Sequence, residues 1–168
     1  RETSDNLKRL VKPGYRAPFH WDDGGGRMEI VVRPKVGGWT WSGGLPLSNA
    51  GEFGLRLHSL EADLAANEGP RSIIFPTDVT LTGGSVIVTI RDSNEEPPYR
   101  IENRCKGITI RFRQRDLQHQ DWEILQPGAV QAYAWDELSL AQRLKVDIEG
   151  QSREYVLDSI RSYQPVEV

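Results

Sequence analysis

Residues 108–114 read ITIRFRQ, and this stretch decides the fold class. Ile108, Ile110 and Phe112 share one side of an extended chain and Arg111 and Arg113 share the other, because a strand sends successive side chains to opposite faces. The same alternation recurs at Ile30 and Val32, at Phe53, Leu55 and Leu57, at Val86, Val88 and Ile90, and at Leu144, Val146 and Ile148. These are the expected inner-face residues. Turn signals separate them: the glycines at 24–26, Gly37-Gly38, Gly43-Gly44, Gly83-Gly84, residues 94–98 and Pro127-Gly128. About a dozen short strands follow, and the expected architecture is all-β, built of antiparallel β-sandwich repeat modules. Helical spacing is scarce. One helical turn is expected at 59–67 as a connector ending at Gly69-Pro70, and residues 23–27 read as a shortened loop.

A chain of 168 residues with 38% apolar content can fold by core packing alone. The single cysteine, Cys105, has no disulfide partner and no second thiol at metal-ligand spacing, which favours a reducing compartment and points to the cytosol. A formal net charge of −3 supplies no global basic field, so nucleic acid is not an expected partner. No apolar run is long enough to span a bilayer, and residues 1–5 lack the apolar core of a signal peptide. The chain opens in mid-pattern without an initiator Met, as a fragment of a longer protein would.

An internal repeat organises the chain. Residues 10–34 align with 124–148 at a constant offset of 114 and without a gap. Pro13 matches Pro127, Gly14 matches Gly128, Trp21 matches Trp135 and Asp22 matches Asp136; Phe19/Tyr133, Asp23/Glu137, Ile30/Leu144 and Val32/Val146 match in kind. The unit is a Pro-Gly turn, an extended strand ending in Trp, an acidic turn and an amphipathic strand. Residues 1–36 are therefore expected to be the end of one repeat, 37–160 a complete β-sandwich repeat, and 161–168 a tail or linker.

The runs PYRIENRCKGITIRFRQ (98–114) and WEILQPGAVQAYAWDE (122–137), then LKVDI before YVLDSI, with WSGGLPLSNAGEFGLRL (41–57) upstream, resemble the adaptor-binding repeat region of the vacuolar protein sorting thirteen family of bridge-like lipid-transfer proteins. The resemblance spans residues 10–160. It implies a string of about six β-rich repeats, each marked by an asparagine where Asn103 stands here. It also implies binding of organelle adaptors through a Pro-x-Pro motif, which would bring the transporter to membrane contact sites; in plant members the region binds a transcription regulator. Membrane association would then run mainly through adaptors, with the fragment itself monomeric.

Such a motif suits a sheet edge. Prolines at i and i+2 lose donors on one side of a strand only, so the peptide can still pair through its other side and lay both rings over apolar pockets. The free edge is expected at 85–91 or 108–114. The candidate binding residues are Asn103, Tyr99, Arg100, Ile108, Ile110, Phe112, Arg111 and Arg113. Asn103 shares parity with Tyr99 and Ile101 and would face the core, where an amide must find partners. A structural role is the preferred reading, with direct peptide contact as its rival. Pro13, Gly14, Trp21, Asp22, Pro127, Gly128, Trp135 and Asp136 are read as repeat architecture, and both tryptophans as core. Trp39 and Trp41 share a face beside a Gly-rich segment, where packing or repeat contact competes with a sugar-binding surface. Arg111, Arg113 and Arg115, with Arg100, Arg104 and Lys106 nearby in sequence, make either a solvated outer face that discourages edge aggregation or an anion-binding face.

No catalytic chemistry is expected. His20, His58 and His119 are scattered, no metal spacing, phosphate loop or nucleophile elbow is present, and no cofactor is implied. The competing functions are a carbohydrate-binding β-sandwich, an anionic-membrane-binding domain and a hydrolase assembled from distant residues.

Overall fold

The computed structural model describes residues 8–20, 27–60, 72–92, 96–117, 122–160 and 162–163. The described strands are β1 (Glu29–Ile30), β2 (Leu45–Pro46), β3 (Gly51–His58), β4 (Ser72–Thr82), β5 (Ser85–Ile90), β6 (Tyr99–Glu102), β7 (Ile110–Gln114), β8 (Glu123–Leu125), β9 (Val130–Tyr133), β10 (Leu144–Ile148) and β11 (Gln151–Tyr155). Every pairing among them is antiparallel, and the chain is all-β as the alternation predicts. Trp21, Asp22, the glycines at 24–26, residues 61–67 of the expected helical turn, Gly69-Pro70, Asn94 and most of the expected tail lie outside the described residues.

Two cores organise the strands. The sheet ordered β11-β10-β7-β8 and the pair β6–β9 enclose Ile110, Phe112, Leu125, Leu144, Tyr133 and Trp135, with Tyr99 and Ile101 packed against them. Aromatic edges fill this core. Tyr133 meets Phe112 at 5.9 Å and Trp135 at 5.4 Å, and Tyr99 meets Trp135 at 5.7 Å, all steeply inclined. The second core, Leu45, Leu47, Leu55 and Val79, lies between the sheet β3-β4-β5 and the pair β1–β2, with Ile30, Val32 and Phe53 against it. Leu138 packs on both cores. The pairing of β1 with β2, and the bond from Ser42 N to Val32 O (2.9 Å), cross the position expected to divide two repeats.

The repeated Pro-Gly turn has the same geometry in both copies. Tyr15 N donates to Lys12 O at 3.1 Å, and its equivalent, Ala129 N, donates to Gln126 O at 3.0 Å. Gly14 and Gly128, in the third position of these turns, have φ of 77° and 74°. Proline at the second position and a left-handed glycine at the third specify a type II turn. Surroundings differ between the copies. Val11 and Phe19 are 52% and 44% exposed, whereas their equivalents Leu125 and Tyr133 are 4% and 0% exposed, because β7 covers only the second copy.

Two sequence expectations need correction. Val86 and Ile90 are 42% and 45% exposed rather than inner-face residues, and of that trio only Val88 packs on the core. For Val86 the reason is register: β3 ends its pairing with β4 at Gly51↔Val79, whereas Val86 pairs with Leu81, past that end. Ile90 pairs with Thr77, within the β3–β4 ladder, and the register does not account for its exposure. Gly43-Gly44 is not a turn either. A Cβ at Gly43 would lie 2.1 Å from the carbonyl oxygen of Asp136, and Gly44 N donates to the Glu137 carboxylate at 3.2 Å. These glycines let the backbone approach the repeated Asp, a role that a Gly-Gly pair shares with turns. Gly43→Ala is therefore expected to cost about 2 kcal/mol or more through overpacking against a fixed main chain. Chemical denaturation checks this, and a change below experimental error would show that the backbone at Gly43 can move away from Asp136.

Candidate functional site

Strand β6 stops at Glu102, and Asn103 follows it at 2% exposure. Its amide nitrogen donates to Ile108 O (2.8 Å) and Leu125 O (2.9 Å), and its Oδ1 accepts from Cys105 N (3.0 Å). Its own backbone bonds Ala129 O and Gly128 N at 2.9 and 2.7 Å. Both amide protons are thus used: the side chain joins the 104–108 loop to the end of β8, and the backbone ties the same residue to the Pro127-Gly128 turn.

The remaining predicted residues divide by burial. Ile110 (7% exposed) and Phe112 (0%) are core, so neither can touch a ligand without unpacking the sandwich. Tyr99 belongs to the aromatic cluster and Ile108 is half-buried. Arg100 is at the surface and pairs with Glu102 at 2.8 Å. The edge expected at 108–114 is not free, because β7 is hydrogen-bonded to β10 on one side and β8 on the other. The expected edge at 85–91 is a sheet edge, since β5 pairs only with β4 among the described residues.

A further edge, that of β6, has no counterpart among the sequence expectations. β6 pairs with β9 alone among the described residues, and beside it lies an open groove of about 420 Å³. Ile101, Leu144, Val146, Tyr155, Leu157 and Ile160 line it. Tyr163 also borders it, with its ring edge-on to Tyr155 at 4.8 Å and its hydroxyl accepting from Val156 N at 3.0 Å. Residues beyond β11 thereby build one wall. The groove combines unpaired strand backbone with apolar and aromatic walls, the two components that an extended peptide needs.

On the opposite face of the four-stranded sheet, Arg111 pairs with the nearly buried Asp147 at 2.7 Å and Arg115 with Glu154 at 3.1 Å. The hydrogen bond from Arg111, reinforced by Ser152, holds the Asp147 carboxyl below its usual pKa. Trp122 lies on this face with Arg113 over its ring at 4.7 Å. Trp41, which is 43% exposed, carries Arg33 over its ring at 4.6 Å.

Sequence reasoning missed a buried ion network. Arg56, with 0% of its side chain exposed, bonds Glu123 at 2.6 and 2.8 Å and approaches Asp136 at 3.4 Å. It also lies over the Tyr133 ring at 4.9 Å. Burial alone would lower the guanidinium pKa, but Asp136 and Glu123 reverse the effect and leave it raised. Burial, then Asp136, push the Tyr133 phenol strongly upward, so it stays neutral. Asp136 accepts from His58 Nε2 at 2.6 Å, and Gln131 donates to Glu123 at 2.6 Å. The clue was Gly54, on the same face of β3 as Arg56, where a Cβ would come within 2.9 Å of Ala134 Cβ. A glycine beside a mid-strand arginine marks a face packed closely on another element.

No helix among the described residues is long and apolar enough to cross a membrane, and no group of His, Cys, Asp and Glu among them could hold a metal ion. Comparison with known proteins finds intermembrane lipid transfer proteins. The chain is 28% identical over 148 residues to "Intermembrane lipid transfer protein vps13A" of Dictyostelium discoideum, covering 84% of this chain and 4% of that protein. It is 27% identical over 141 residues to vps13D of the same organism, covering 83% of this chain and 3% of the relative. It is 22% identical over 155 residues to VPS13D of Homo sapiens, covering 90% of this chain and 3% of the relative. The chain thus spans only a few per cent of these relatives. Residues 1–142, which include the first copy of the turn, the Asn103 clasp and Trp135-Asp136, match the family described as "Vacuolar-sorting associated protein 13, adaptor binding domain". The chain therefore belongs to that adaptor-binding domain family.

Proposed function

We propose that this chain is a non-catalytic module that binds Pro-x-Pro motifs of adaptor proteins by strand addition at the free edge of β6. Through such adaptors it would hold a lipid-transfer parent at membrane contact sites, on the cytoplasmic side of organelle membranes. The observation that carries the reading is the unpaired β6 edge beside the groove of Ile101, Leu144, Val146, Tyr155 and Leu157. The groove favours β6 over β5, since proline rings need apolar walls as well as a ladder to pair with. The middle residue of the motif would make the ladder bonds and both prolines would face the groove. Residues 37–160 would act as the complete repeat, with 1–36 as the end of its neighbour. Asn103 would serve by shaping the β6 terminus, and Arg100 by lining the entrance.

Ile160 is the most direct probe, being fully exposed at the rim, so its replacement does not disturb the core. Ile160→Asp is expected to weaken a Pro-x-Pro peptide roughly ten-fold, the effect of about 1.4 kcal/mol, with an unchanged melting temperature. Calorimetric titration of the wild-type chain and the variant, each with the peptide and a Pro-to-Ala control, makes the test. Equal binding of the control would remove the proline mechanism, and an unaffected Ile160→Asp would move the site away from this groove.

A further inference from the structure

We infer that the outer face of β7 and β10, opposite the groove, is a second interaction surface, and that its partner is an extended acidic peptide segment with carboxylates at alternate positions. The register places Arg111, Arg113 and Arg115 in a row along β7, with Lys145 directly across from Arg113 and Asp147 across from Arg111. The outer cations of the row are already neutralised, Arg111 by Asp147 and Arg115 by Glu154. Arg113 and Lys145 have no carboxylate within ion-pair distance among the described residues. Their recorded contacts are with one ring, Trp122, at 4.7 and 5.8 Å. Two adjacent cations held over an aromatic ring, with no ion pair of their own among the described residues although Glu154 stands across from Lys145, present positive charge to a partner in a chain whose net charge is −3.

Shape and spacing select the partner. Arg113, Arg115, Asp116, Leu117, Lys145 and Glu154 line a cavity of about 490 Å³ beside the ring. Cations two residues apart on a strand are spaced by roughly 6.6–6.8 Å, which is also the spacing of alternate side chains on an extended peptide. A narrow acidic chain can be laid on Arg113 and Lys145, the two cations of this face with no ion pair among the described residues, between the paired Arg111 and Arg115. A bilayer of anionic headgroups would press equally on Asp116 and Glu154, which stand among the cations, so a planar surface gains less. Recognition must come from side chains, because β7 is paired on both edges and offers no free ladder. This surface is independent of the β6 groove, so either site can fail without the other.

The probe is a short synthetic peptide alternating glutamate and serine, titrated into the full chain at low salt with tryptophan fluorescence as readout. The expected result is saturable binding that weakens as salt rises, is absent for the glutamine-for-glutamate peptide, and falls roughly ten-fold or more in Arg113→Glu/Lys145→Glu, as loss of charge-assisted contacts requires. A thermal melt of that variant checks folding, and the milder Lys145→Gln, expected to weaken binding several-fold, serves if the double variant unfolds. Binding indifferent to the substitutions, or equal binding of the glutamine peptide, overturns the inference. So does tighter capture of the chain by phosphatidylserine vesicles than by the peptide.

Discussion

Asn103→Ala is expected to destabilise the chain by about 3 kcal/mol and to abolish peptide binding at the same time. The substitution strands three backbone groups, Ile108 O, Leu125 O and Cys105 N, that the side chain now satisfies. Each unsatisfied buried group costs roughly 1–3 kcal/mol, and solvent can reach some of the exposed 104–107 loop, so the total lies well below the sum of three full penalties. The loop and the Pro127-Gly128 turn should loosen together, because the Asn103 backbone bonds both Ala129 and Gly128. Loss of binding then follows from displacement of β6, which ends one residue earlier. Asn103→Asp should be as damaging, since a carboxylate would face two carbonyl oxygens. Urea denaturation and peptide titration on the same preparation separate the two roles. Full stability with lost binding would mean that Asn103 touches the ligand and that its hydrogen bonds contribute little to the fold.

The fold was legible because side-chain alternation depends only on local geometry. Ile110 and Phe112 point inward as their parity required, and so do Leu144 and Val146. The turn at Pro127-Gly128 and its copy at Pro13-Gly14 were legible for the same reason, since proline and glycine encode their own dihedral angles. What alternation cannot encode is which strands become neighbours. It therefore placed Val86 and Ile90 inside, although both are exposed, Val86 because it pairs with Leu81 beyond the end of β3. For the same reason the 108–114 strand was a candidate edge, although β8 and β10 occupy both its sides. The groove beside β6 was harder still, because its walls come from β6, β10 and the segment after β11, which lie far apart in the chain. Glycine was ambiguous in a specific way: Gly83-Gly84 forms a hairpin turn with φ of 55° and 83°, whereas Gly43-Gly44 allows close packing.

Arg56→Ala should cost at least as much stability as Asn103→Ala without impairing the β6 groove. The guanidinium joins β3 to Glu123 on β8 and to Asp136 after β9, so it links the sheet of the second core to the sandwich of the first. Removing one partner of a buried pair leaves the other charge desolvated, and the cost is about 3–5 kcal/mol. His58 and Gln131 keep a partial hold on Asp136 and Glu123, which places the expected loss toward the lower end of that range. The pairing can be isolated by a double-mutant cycle. Glu123→Gln relieves the stranded charge on β8, so Arg56→Ala/Glu123→Gln should be less damaging than the two single changes added together, by roughly 0.5–3 kcal/mol. Peptide affinity measured well below the melting point should stay within about two-fold of wild type, a difference of roughly 0.4 kcal/mol, because the groove draws its walls from β6, β10 and the segment after β11. This contrasts with Asn103→Ala, which is expected to lose both. A loss below about 1 kcal/mol for Arg56→Ala would show that water replaces the guanidinium at little cost, and additive single losses would show that Arg56 and Glu123 do not act as a pair.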